Sequence, residues 1–199
     1  TTLYSCLSRI NDAQKKIITI EDPIEYQLKG IVQLQINPAI QFTFASGLRS
    51  MLRHDPDVMM VGEVRDFETA ETAIQIALTG HLVFSTLHTN DAASGITRLM
   101  DMGVEPYLIA SAVECFIAQR LVRRICPKCK VSACVDSGVI RDLGVEIKPG
   151  TQIKVFEGKG CEFCSGTGFY GREGIYEFLV LNDEVKGMIS EKMSSTKIK

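Results

Sequence analysis

A chain of 199 residues with 45% hydrophobic and 23% charged residues has ordinary globular composition, which excludes a disordered tail. A formal net charge of −2 argues against a protein whose main work is gripping nucleic acid, because such surfaces are built from clustered Lys and Arg. No stretch approaches the roughly 18 consecutive apolar residues of a membrane span, and the first residues carry no basic-then-apolar signal pattern, so a cytoplasmic setting with no transmembrane segment is expected.

In chain order, T-T-L-Y-S-C-L-S-R-I-N reads as a helix over 1–11, uncapped at its first residue as though the element began upstream. K-I-I-T-I (16–20) is a short β-branched strand that runs into an acidic, proline-interrupted loop, Glu21-Asp22-Pro23-Ile24-Glu25. I-V-Q-L-Q (31–35) alternates like an edge strand, and F-A-S-G-L-R-S-M-L-R (44–53) has helical spacing. D-V-M-M-V-G-E-V-R-D (57–66) is an apolar strand, then Gly62, Glu63 and Arg65. Residues 67–79 predict a helix with Ala70, Ile74, Ala77 and Leu78 on one face, stopped by Gly80. H-L-V-F-S-T-L-H (81–88) is another apolar strand with a histidine at each end, and 91–102 and 106–123 read as two more helices. Strands alternating with helices predict an α/β fold, a mostly parallel sheet flanked by helices. In such sheets ligands bind beyond the carboxyl ends of the strands, where Glu21, Glu25, Glu63 and His88 fall. At Ile125 the composition shifts to Cys, Gly and Lys. The expected organisation is a core over 1–125, a loop-rich module over 126–170 and a helical segment over 171–199.

Burying an ionised carboxylate costs several kcal/mol, so Glu63 at the end of a buried strand needs a partner cation or a reaction. The bland reading is an ion pair with Arg65. The functional one is a glutamate that orients the attacking water of a nucleotide-hydrolysing site. Glu21, Asp22 and Glu25 could simply be an acidic turn capping a strand end. Three carboxylates so close repel one another unless a cation shares the space, which points to Mg²⁺ or an arginine. His81 and His88 are separated by an odd offset and so face opposite sides of a strand, which argues against a shared metal. His88, beyond the strand end, is the better candidate for contact with a nucleotide or a neighbouring subunit.

Seven cysteines include two C-x-x-C pairs, Cys126/Cys129 and Cys161/Cys164, with 31 residues between them. Two matched pairs in a chain without a signal peptide read as one tetrahedral Zn²⁺ site. Cys134 is an alternative ligand, while Cys6 and Cys115 fall in expected helices as small core residues. C-E-F-C-S-G-T-G (161–168) also matches the C-x-x-C-x-G-x-G repeat of J-protein chaperones, but the first pair lacks the glycines.

As a set, these residues resemble the secretion ATPase superfamily, specifically the type II secretion and type IV pilus assembly ATPases, over essentially the whole chain. I-T-I-E-D-P-I-E-Y is similar to the family's Asp box, V-G-E-V-R-D to its atypical Walker B, T-G-H-L-V-F-S-T-L-H-T-N to its His box, and the paired C-x-x-C to its zinc module. The resemblance implies a RecA-like core with an inserted four-cysteine zinc module, acting on ATP with Mg²⁺. It implies that Glu25 polarises the attacking water and that Glu63 acts through Mg²⁺. Glu21, Asp22 and Arg65 would belong to the nucleotide–metal site, and His81 and His88 would sense nucleotide. It further implies a homohexamer, peripheral at the inner membrane, that drives a pseudopilus through an inner-membrane secretion platform protein. The family's phosphate loop, G-x-x-x-x-G-K-S, is followed directly by T-T-L-Y. Residues 1–199 are therefore expected to lack the Walker A loop and the upstream arginines, and to be inactive toward ATP by themselves. Type II secretion is favoured over pilus assembly on the fit of the His box and of M-G-V-E-P-Y. A non-catalytic zinc-binding interaction module is the competing reading. A nucleic-acid motor is disfavoured, since R-L-V-R-R (120–124) is a short solvated run rather than a basic stripe.

Overall fold

The computed structural model describes residues 1–136, 148 and 152–199. They form two compact units, one of Thr1–Ala118 with Glu177–Lys199 and one of Gln119–Tyr176.

The first unit is built on four parallel strands, β1 (Ile17–Glu21), β2 (Val32–Gln35), β3 (Val58–Val61) and β4 (Leu82–Phe84), in the order β2-β1-β3-β4. Every residue of β1 and β3 is buried, as expected for central parallel strands covered on both faces. The period-two alternation of side chains divides those strands between two cores. Ile18, Ile20, Met59 and Val61 pack with Phe44, Leu48 and Met51 of α2 (Phe44–Met51) and with Ala73 and Ile76 of α3 (Phe67–Leu78). Ile17, Val58 and Met60 face the other way, onto Tyr4 and Leu7 of α1 (Thr2–Ile10). A third cluster joins Ala70 and Ile74 to α4 (Ala92–Asp101), α5 (Pro106–Ala112) and the C-terminal residues Leu181, Ile189 and Ile198.

The helix starts have visible causes. Thr43 and Ser46 form a reciprocal capping box on α2. Asp66 and Asp91 cap α3 and α4 by accepting from the Thr69 and Ser94 amides, each at 2.8 Å. On α3 the buried face is Ala70, Ala73, Ile74 and Ile76, whereas Leu78, expected inside, is 44% exposed at the helix end.

Three expected elements are corrected. The segment 81–88 holds a strand of only three residues, because Val64 N–H bonds Thr86 O (3.0 Å) and Thr86 Oγ1 bonds Gly62 O (2.8 Å), drawing the chain onto the turn after β3. The helix expected over 106–123 stops at Ala112. Val113 turns extended, and Cys115–Ile125 forms strand β5, which places Cys115 on a strand rather than a helix. Its partner is a strand at Phe169–Val180, so helix in the C-terminal segment begins only at Asp183, with Asp183–Ser190 and Ser195–Ile198. C-F-I-A-Q-R-L-V-R-R-I is rich in β-branched and aromatic residues, and a partner more than 40 residues away in sequence decides its state.

In the second unit, the module expected to be loop-rich contains an antiparallel pair, Lys130–Asp136 with Gln152–Gly158, in register from Lys130↔Gly158 to Asp136↔Gln152.

Candidate functional site

β1 and β3 are neighbours, with Ile20 opposite Val61, so the turns that follow them lie side by side, and Gly62 N–H bonds Ile20 O at 2.8 Å. Glu63 sits in the second of these turns and is only 9% exposed. Its Oε1 pairs with Arg65 at 2.5 Å and its Oε2 meets His88 Nε2 at 3.1 Å. Burial pushes the Glu63 carboxyl up, but the Arg65 guanidinium and then the His88 ring outweigh it, and the group ends below the usual glutamate range. The cluster therefore keeps a carboxylate charged at the rim of the core. Arg65 and His88 are mostly exposed, with side chains 65% and 81% accessible.

Glu21, the last residue of β1, is 4% exposed and is met by hydroxyl and amide donors. The Tyr4 hydroxyl donates to Oε2, while Thr19 Oγ1 (2.5 Å) and Gln33 Nε2 (3.1 Å) donate to Oε1. Two hydroxyls and an amide thus dress both Glu21 oxygens. Burial, and next the carboxylate beside it, raise the Tyr4 phenol above its ordinary value, so it stays a proton donor. Asp22 and Glu25 stand exposed in the loop beyond.

His81 lies at the opposite end of β4 from His88. Its Nδ1 contacts Thr79 Oγ1 (2.9 Å) and Ile76 O (3.3 Å) at the end of α3, and the structure does not bring it to the Glu63 cluster. Sequence reasoning missed Tyr4 and Gln33, together with Gln35, whose Oε1 accepts from Ile24 N–H at 3.4 Å. The V-Q-L-Q alternation showed that these glutamines share a face, but not what that face meets.

The second unit gathers the four cysteines. The Sγ atoms of Cys126, Cys129, Cys161 and Cys164 lie within 4.8 Å of one another, with Cys126–Cys161 and Cys129–Cys164 at 3.9 Å and Cys161–Cys164 at 3.7 Å. A tetrahedral Zn²⁺ with Zn–S bonds near 2.3 Å requires sulfurs about 3.8 Å apart, so the donor set fits that ion. Without a cation the thiols cannot all ionise together. Burial and then its thiol neighbours push Cys129 up to about 12 against a bond from Gly160. At Cys164 burial is overcome by the Cys161 and Gly168 amides and by the neighbouring thiols, bringing it down to about 6. Cys134 lies on the hairpin strand, exposed and outside this cluster.

The family model of the type II/IV secretion system proteins matches residues 1–199. The chain belongs to that family. It is 50% identical to type II secretion system protein E of Aeromonas hydrophila, over 95% of this chain and 37% of that protein. It is also 50% identical to type IV pilus assembly ATPase PilB of Thermus thermophilus, over 100% of this chain and 22% of that one. The chain therefore spans less than two-fifths of the length of these curated relatives. Among solved structures it is similar to the pilus retraction motor PilT with bound ADP (TM-score 0.65, 32% identity, 96% of this chain and 46% of that one). A second is the ATPase DotB of Legionella pneumophila (TM-score 0.63, 25% identity, 99% and 46%). Among the described residues, no helix is long and apolar enough to cross a membrane.

Proposed function

We propose that this chain is the C-terminal part of a hexameric motor that couples ATP hydrolysis to pseudopilus assembly in type II protein secretion. The observation that carries the reading is Glu63, a buried carboxylate kept ionised at the end of β3 by the exposed Arg65 guanidinium and the His88 ring, in a chain of this family. Glu63 is the residue that would face Mg²⁺, and Asp22, exposed beyond β1, would supply a further oxygen, while Glu21, whose two oxygens already accept from Tyr4, Thr19 and Gln33, is assigned to shaping that strand end. Magnesium, when bound with the nucleotide, spreads phosphate charge and orients the reacting oxygens. Arg65 and His88 are exposed enough to turn from Glu63 toward an incoming polyphosphate, which would free the carboxylate for the metal. Glu25, exposed in the loop beyond β1, is assigned to polarising the attacking water. His81, held at the far end of β4, is assigned to nucleotide sensing from a neighbouring position rather than to the reaction itself.

Zn²⁺ on Cys126, Cys129, Cys161 and Cys164 is assigned a structural role, since four thiolates leave no open coordination position. The partners proposed are further copies of the chain and an inner-membrane secretion platform protein, with the motor peripheral at the cytoplasmic face. Type IV pilus assembly is the second reading, favoured by the 50% identity of this chain to 22% of PilB of Thermus thermophilus. Complementation of a strain lacking the full-length protein tests both. Glu63→Gln should fail to restore export of a secreted enzyme while wild type restores it. Loss of surface pili with secretion intact would instead establish the pilus role, and loss of neither would overturn the motor reading.

A further inference from the structure

The acidic loop is braced from two sides by side chains that the motor reading does not use. The Tyr4 hydroxyl, on α1, donates to Glu21 Oε2 and accepts the Glu25 backbone N–H at 3.3 Å. Its ring packs edge-on to Tyr26 with centroids 4.5 Å apart. From β2, Gln33 Nε2 donates to Glu21 Oε1 (3.1 Å) and to Tyr26 O (3.2 Å), and Gln33 Oε1 accepts from Leu28 N–H (2.7 Å). The backbone on both sides of Glu25 is thus tied to one buried carboxylate through a phenol and an amide. A fully dressed, buried Glu21 is costly to keep unless its geometry matters, because a well-packed apolar side chain serves stability as well or better. A strand-end acid that only terminates β1 would not need the phenol to reach across to Glu25, four residues further along the chain.

We infer that Tyr4 is a positioning residue: its hydroxyl, anchored on Glu21, fixes the backbone of Glu25 and so the placement of the Glu25 carboxylate. Gln33 does the same for the Tyr26 side of the loop. This inference rests on the reading of Glu25 as the water-polarising carboxylate. Tyr4→Phe removes one oxygen and leaves the ring, its burial and its contact with Tyr26, so the Glu25 backbone loses a partner while the core keeps its shape.

The test is Mg-ATP turnover by the full-length protein as wild type, Tyr4→Phe, Glu25→Gln and the double variant, with Glu63→Gln alongside. Tyr4→Phe is expected to lower kcat about tenfold, the scale on which small misplacements of a reacting group act, with KM within about twofold. In the Glu25→Gln background the same substitution is expected to cost nothing further, since there is no carboxylate left to place. A tenfold loss that persists undiminished in that background would show a merely structural role and overturn the inference. Unchanged turnover in Tyr4→Phe, or a rise in KM with kcat intact, would overturn it equally. If Glu25→Gln turned over normally while Glu63→Gln did not, the inference would fall with the role of Glu25, and the ATPase reading would stand. If Glu63→Gln also turned over normally, the ATPase reading would fall with it.

Discussion

Gly158 ends a hairpin strand where the four-cysteine unit is at its tightest, and Gly158→Ala tests how that unit is held. A Cβ there would lie 1.9 Å from Gly168 O, 2.6 Å from its carbonyl carbon and 2.7 Å from its Cα. All three are backbone atoms, so no rotamer change relieves the clash. An ordinary carbon–oxygen contact is about 3.3 Å or more, so the two segments must part by about 1.4 Å. Gly168 O accepts the Cys126 N–H at 2.9 Å and Gly168 N–H donates to Cys164 Sγ at 3.3 Å, so the displacement acts on two of the four sulfur positions. Overpacking of about 2 kcal/mol and a strained hydrogen bond worth about 1 kcal/mol together weaken zinc binding by roughly 100-fold. Gly166→Ala is the control. Its φ is +76° and nothing lies within 4 Å of the new methyl, leaving only the left-handed backbone cost of about 1 kcal/mol, less than tenfold in affinity. Competition against a chromophoric chelator measures both variants. If Gly158→Ala holds zinc as tightly as Gly166→Ala, the account of this close crossing is wrong.

Met59 is fully buried between β3 and the α2 and α3 face, so Met59→Ala is expected to cost about 2–5 kcal/mol in denaturant unfolding, and a loss below about 1 kcal/mol would contradict the packing described. Asp91→Ala removes the cap of α4 and is expected to cost about 1 kcal/mol, with Asp91→Asn restoring most of it; equal losses in both would show that the cap is not the cause. The Glu63 carboxyl is depressed in the folded chain below its ordinary value of 4.5, so its stabilising contribution is present above that value and lost as pH falls through the folded one. The thermal midpoint should therefore fall more steeply below pH 4.5 in wild type than in Glu63→Gln, and parallel slopes would contradict the Arg65 and His88 pairing.

What the sequence made legible was short-range or chemically distinctive. The parallel core was readable because β1 and β3 are unbroken apolar runs, and the cysteine cluster because two C-x-x-C turns each deliver a matched pair of thiols. Glu63, Arg65 and His88 were each picked out, although their meeting depends on the Thr86–Gly62 bond that folds the chain after β4 back over β3. The end of the helix expected over 106–123 is strand because Cys115–Ile125 pairs with Phe169–Val180, and no local pattern specifies a pairing across the intervening cysteine module. Tyr4 and Gln33 were invisible for a related reason. A tyrosine on a helix and a glutamine on an edge strand look like ordinary residues until the fold brings them to one buried carboxylate. The crowded acids were legible as a group, but not that Glu21 turns inward to hydroxyl and amide donors while Asp22 and Glu25 stand exposed.

The most direct test of the central claim pairs nucleotide binding with turnover in the full-length protein, wild type beside Glu63→Gln. The substitution keeps the shape of the side chain and removes only its charge. Saturable Mg-ATP binding should survive with affinity near that of wild type, while steady-state hydrolysis falls by about 100-fold or more. Hydrolysis by Glu63→Gln within about twofold of wild type, measured on samples that bind nucleotide equally, would contradict the assignment of this buried carboxylate to ATP hydrolysis.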